Sequence, residues 1–152
     1  MTDRAQLLRT YAALLASILA ACSTVPHEPN PAISRDDAKV VVRQAFEQQL
    51  ASFRPAGIQV DDDAIRLAFR TMERSGGPIA LGGRVWYVDT ERTFYYSRLQ
   101  KPKLVDQKGV GDRRWQVQLS DNEGSVSYKV YFPSVEKGLV FLDAIERMRR
   151  QD

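Results

Sequence analysis

The stretch VSYKVYFPSVEKGLVFLDAIERMRR, residues 126–150, decides how this chain folds. Its first part has period two. Val126, Tyr128, Val130 and Phe132 alternate with Ser127, Lys129 and Tyr131, the pattern of a strand with one buried face. Pro133 cannot donate to a ladder and stops the strand. Ser134 then offers a hydroxyl to the free N–H groups of a helix start. From Val135 the apolar period lengthens. Val135, Leu139, Leu142, Ile145 and Met148 fall on one side of a helix, widened by Phe141. Glu136 sits early and Arg147, Arg149 and Arg150 late, as the helix dipole favours. Asp143 falls on the opposite face and reads as a solvent residue whose loss would cost little. An amphipathic helix that follows a strand at the end of a chain needs a sheet to cover.

Upstream, the residues supply that sheet. Arg114–Leu119 alternates, with Trp115, Val117 and Leu119 facing one way and Gln116 and Gln118 the other. Asp121-Asn122-Glu123-Gly124 makes the turn into the next strand. Lys103–Gln107 reads as a short strand broken by Gly109 and Gly111. Arg84–Val88 and Thr93–Arg98 read as two strands about a turn at Asp89-Thr90-Glu91. Phe94 and Tyr96 fall on one face and Tyr95 on the other. Gly76, Gly77, Gly82 and Gly83 frame a surface loop. Ile58 and Val60, then Ile65, Leu67 and Phe69, make a hairpin across Asp61-Asp62-Asp63. Ahead of it, Ser34 caps a helix whose stripe is Ala38, Val41, Val42, Ala45, Phe46, Leu50 and Phe53, ended by Pro55 and Gly57.

The class is α+β: an N-terminal helix, about seven antiparallel strands in a bent sheet or partly open barrel, and a C-terminal amphipathic helix. Residues 57–149 resemble the pleckstrin-homology-like superfamily in this order, above all in Tyr128–Phe132 leading into Ser134 and Phe141–Ile145. The resemblance implies a barrel with one end plugged by the last helix. A cystatin-like helix-on-sheet or another α+β roll has similar elements. The Ser34 helix lies outside the resemblance.

The N-terminus carries an address. Arg4 and Arg9 precede an apolar run, Tyr11–Leu19, that is shorter than the ~20 residues a spanning helix needs. It closes on Leu19-Ala20-Ala21-Cys22, with the only cysteine of the chain. This resembles the lipobox of bacterial lipoproteins. The resemblance implies cleavage before Cys22, a diacylglyceryl thioether on its sulfur and an acylated α-amine, hence a membrane-held protein. One acyl chain alone anchors only marginally. Ser23, where an aspartate would retain a lipoprotein at the inner membrane, points to the outer membrane of a bacterial envelope. Residues 1–21 are then signal peptide. Residues 22–33, with Pro26, Pro29 and Pro31, read as an extended tether, and residues 34–152 as one domain.

Composition narrows the function. The chain carries +3 at pH 7, and loss of Arg4, Arg9 and Asp3 with the signal leaves +2, a balance that does not point to nucleic acid. Without a second cysteine the domain rests on its packed core rather than a disulfide. The sole histidine, His27, lies in the proline-rich tether, where partners for a triad or a metal are not fixed. Asp61, Asp62 and Asp63 lack the alternate spacing of a calcium loop. The Gly76–Gly83 run lacks phosphate-loop spacing and its lysine. No cofactor, metal or catalytic residue is therefore expected. One cluster, Arg92, Tyr95, Arg98, Lys101 and Lys103, mixes the residue types of a binding surface. A solvated strand face has the same composition. The resulting expectation is a lipid-anchored, non-catalytic interaction module at the periplasmic face of the outer membrane, with an envelope protein as partner. A carrier of a small apolar or lipid ligand is the alternative.

Overall fold

The structure, a computed structural model, describes residues 24–30, 32–75, 83–106, 115–124 and 127–150. Their elements run α1 (Arg35–Glu47), β1 (Gly57–Val60), β2 (Ala64–Ser75), β3 (Arg84–Tyr95), a 3-10 turn (Tyr96–Arg98), β4 (Leu104–Asp106), β5 (Trp115–Ser120), β6 (Ser127–Phe132) and α2 (Val135–Arg149). The architecture is α+β. The described strands are six rather than about seven. They form two three-stranded antiparallel sheets, β1-β2-β3 and β4-β5-β6.

Both helices begin where their serines place them. Ser34 accepts the Asp37 N–H at 3.1 Å, and Ser134 accepts that of Lys137 at 3.4 Å. α2 buries Phe141, Leu142, Ile145 and Met148 as its spacing requires, while Val135 and Leu139 are half-buried. It also buries Gly138, where an added Cβ would stand 2.5 Å from Leu104 Cδ1. The missing side chain lets α2 lie close on β4. Phe46 of α1 meets Phe141 edge-on at 6.2 Å and Tyr128 at 5.6 Å, and Phe132 meets Phe141 at 5.2 Å. These rings join both helices to β6, and the contacts continue from Tyr128 to Phe69 of β2 at 5.6 Å.

Three departures from the sequence reading have physical causes. First, α1 stops at Glu47, so Leu50 and Phe53 leave its stripe and remain 46% and 40% exposed. The chain turns there to cover the outer edge of β6. Gln49, 1% exposed, presents its amide to Tyr131 as one more strand residue would. Its Oε1 accepts the Tyr131 N–H at 3.0 Å, and its Nε2 donates to the Tyr131 carbonyl at 3.1 Å and to that of Ala45 at 2.7 Å. Unpaired strand edges are a template for association, and this side chain closes one. The same cover buries Tyr131, expected on the solvent face, with Phe53 packed on its ring at 5.2 Å.

Second, the chain does not turn at Asp89-Thr90-Glu91. β3 runs unbroken, paired residue for residue with a β2 that extends to Ser75. No glycine or proline in that triad demands a turn, and the Arg70 guanidinium grips Asp89 across the strands at 2.8 and 3.1 Å.

Third, part of the segment expected to be a tether is docked. Thr24 forms a β-bridge with Val105, and the Val25 N–H donates to the Leu104 carbonyl at 2.9 Å. Asp143 is not a free surface residue. Its Oδ1 lies 2.7 Å from His27 Nε2 and accepts the Asn30 N–H at 2.7 Å. The lipobox and the glycines at 76, 77 and 82 lie outside the described residues.

Candidate functional site

The basic and aromatic residues singled out in sequence occupy three different grooves. Arg92, on β3, spans the gap between the two sheets. Its Nη1 donates to the Ser127 carbonyl at 2.8 Å and its guanidinium lies 5.1 Å from the Phe69 ring. Tyr95 is 43% exposed, with Arg98 over its ring at 5.6 Å, beside Asp62 and Asp63. Its neighbour Tyr96 is buried, and burial holds its phenol well above the ordinary range. Lys101 and Lys103 line a third groove with Thr24, Pro26 and Pro29. Alternation alone could not say that the chain crosses from one sheet to the other between Tyr95 and Leu104.

The aspartate turn is divided among different cations. Asp61 pairs with Arg66 and also accepts from Gln59 Nε2 at 2.9 Å. Asp62 meets Lys39 Nζ at 2.7 Å and Arg35 at 3.3 Å. The Lys39 hydrogen bond lowers the Asp62 carboxyl pKa and raises that of the lysine. These pairs tie the β1-β2 turn to the start of α1.

His27 does have a fixed partner, contrary to its reading as a tether residue. It and Asp143 make the imidazole–carboxylate half of a triad, their side chains 16% and 17% exposed. Among the described residues, the groove beside them is lined by Thr24, Val25, Leu142 and Glu146, together with prolines and Lys101 and Lys103, and these include no serine or cysteine. Separated by 116 positions, the pair left no signal in the sequence.

Two features were missed. One is an apolar groove of about 260 Å³ between the helices, lined by Val41, Ala45, Val140 and Phe141 and closed at its floor by Gln49 and Phe132. The other is the outer part of the β2–β3 ribbon. β1 pairs with β2 only as far as Ala68, so, among the described residues, 69–75 and 84–90 pair only with each other. On one face Met72 opposes Tyr87, with exposures of 47% and 66%. On the other, Trp86 opposes Glu73, is 41% exposed, and donates from Nε1 to Glu73 Oε2 at 3.1 Å. Large apolar side chains exposed on both faces of a narrow ribbon are the sharpest departure here from an ordinary solvated surface.

No described helix is long and apolar enough to cross a membrane. Comparison with known protein families, curated proteins and solved structures found nothing that matches this chain.

Proposed function

We propose that this chain is a lipid-anchored protein of the bacterial envelope, held through Cys22, that works as a non-catalytic interaction module toward an envelope protein. The observation that carries the binding role is the projecting β2–β3 ribbon with Met72, Trp86 and Tyr87 exposed. Tyr and Trp dominate binding hot spots, and a two-stranded ribbon on its own is marginally stable in water. Both facts favour a ribbon that is covered when at work. The anchoring role rests on Leu19-Ala20-Ala21-Cys22, and the choice of outer membrane on Ser23. Two three-stranded sheets followed by a covering helix support a pleckstrin-homology-like assignment, with six of the expected strands, about seven, among the described residues.

Two measurements test the reading. A photo-crosslinking residue at position 87 should capture a discrete envelope protein, and the same residue at Val40, exposed on α1, should not. Equal labelling from both positions would remove the ribbon from consideration. Cys22→Ser should abolish incorporation of a palmitate analogue in cells, and equal incorporation in variant and wild type would refute the anchor.

The groove between the helices favours a second reading, carriage of a small apolar ligand. Its lining is largely apolar, with Gln44, Gln48 and Glu136 at its polar margin. Binding of a fluorescent fatty acid that is lost in Val41→Glu would support it.

A further inference from the structure

The docked N-terminal segment carries a consequence for how the domain sits on its membrane. We infer that the edge of β4 lies directly against the bilayer, with Lys101 and Lys103 meeting phospholipid headgroup phosphates, because the anchor leaves the folded domain there without a free leash. The inference rests on the reading of Cys22 as the lipidated residue.

Residues 22–33 as a free chain would reach about 40 Å fully extended, and flexible chains of that length average roughly 20 Å end to end. A lipoprotein on such a leash tumbles above the surface. Here the leash is used up. Thr24 bridges Val105, Val25 bonds Leu104, and Val25 and Ile33 pack on the core. Asp143 fastens the segment at two further points, His27 and the Asn30 N–H. Only two peptide units separate Thr24 from Cys22, a span of about 7 Å at most. The acyl chains therefore leave from beside β4.

The surface at that point fits a headgroup layer. Lys101 and Lys103 are exposed while Pro102 between them and Leu104 after them are buried. The two ammonium groups thus leave the same side of the chain, in the groove that also holds Thr24 and Pro26. Glu146, in the same groove, is engaged by Arg149 at 3.1 Å and Arg150 at 3.7 Å. Glu28 is the exposed carboxylate of the segment. Two lysines near a phospholipid surface gain a modest electrostatic attraction where lipids are anionic. That is too little to bind a free protein, but it suffices to orient one already held by its acyl chains.

The test uses the lipoprotein purified from bacterial membranes and placed in nanodiscs whose lipids carry a nitroxide on the headgroup. Mass spectrometry of the N-terminal peptide first reports whether Cys22 is acylated. An unmodified Cys22 would overturn both the inference and the anchor on which it rests. With Cys22 acylated, amide signals of Lys101, Lys103 and Val105 should be lost to paramagnetic broadening, while those of Gln59 and Arg66 persist. A flexible Gly-Ser spacer inserted between Ser23 and Thr24, which gives the anchor the leash that the Thr24–Val105 and Val25–Leu104 contacts deny it, should restore the β4 signals. Uniform broadening across the domain in the wild type would overturn docking while leaving the anchor intact. Selective β4 broadening that the spacer does not change would overturn the role of the docked segment.

Discussion

Replacing Gln49 by leucine tests whether one buried amide really closes the edge of the second sheet. The two side chains have similar volume, so the change removes hydrogen bonds without opening a large cavity. In the wild type the amide makes three bonds, two of them to the N–H and carbonyl of Tyr131, and it is 1% exposed. Leucine removes the partner that the amide gives to each of these two Tyr131 groups. Each hydrogen bond lost in a buried site costs about 1–3 kcal/mol, and relief from burying the amide returns part of that. The expected loss is about 2–4 kcal/mol, a large share of the 5–15 kcal/mol typical of a domain. Urea unfolding at pH 7 reads it as a lower midpoint at unchanged slope. Gln49→Glu sharpens the argument. Its carboxylate can accept from the Tyr131 N–H but faces the carbonyls of Ala45 and Tyr131 with no proton to give. Burial against them raises the pKa of the new carboxyl above its ordinary ~4.3 in the folded state. The folded form then holds the proton more tightly than the unfolded one. The deficit relative to wild type should therefore be smallest below about pH 4 and grow as pH rises through the raised value. A leucine variant within about 0.5 kcal/mol of wild type would refute the reasoning, because that is the behaviour of an ordinary surface position.

The pair of Asp62 with Lys39 makes a pH prediction. The lysine depresses the Asp62 pKa, so its stabilisation is present above the ordinary carboxylate value and lost as pH falls through the lowered one. The gap in urea midpoint between wild type and Asp62→Asn should close on acidification from pH 6 to pH 2, and a gap unchanged over that range would contradict the pairing. Leu142→Ala, at a site 6% exposed on the sheet-facing side of α2, should cost about 2–5 kcal/mol in the same assay. A midpoint equal to that of wild type would mean that α2 does not pack as described.

Local chemistry determined what it could reach within a few residues. Ser34 and Ser134 fixed the helix starts because a cap bonds three positions ahead. The change of period at Pro133 located the strand-to-helix junction, and the apolar spacing of α2 named most of its buried face. The Asp61–Asp63 turn between Val60 and Ile65 was legible for the same reason. The reading of Leu19–Cys22 as a lipobox likewise rests on a purely local pattern. What the tertiary structure decided lies in contacts between distant positions. The side chain of Gln49 reaches Tyr131, 82 residues away, and so ends the α1 stripe early and buries a tyrosine that alternation placed in solvent. His27 finds Asp143 across 116 residues, which turns a presumed leash into a fixed segment and a presumed surface aspartate into its fastening. The polar triad Asp89-Thr90-Glu91 looked like a turn. All three residues are exposed on β3, and a stretch exposed on both faces carries no period-two signal. Met72, Trp86 and Tyr87 drew no notice in the sequence for the same reason: their exposure follows from how far β2 and β3 pair beyond Ala68, which no local pattern records.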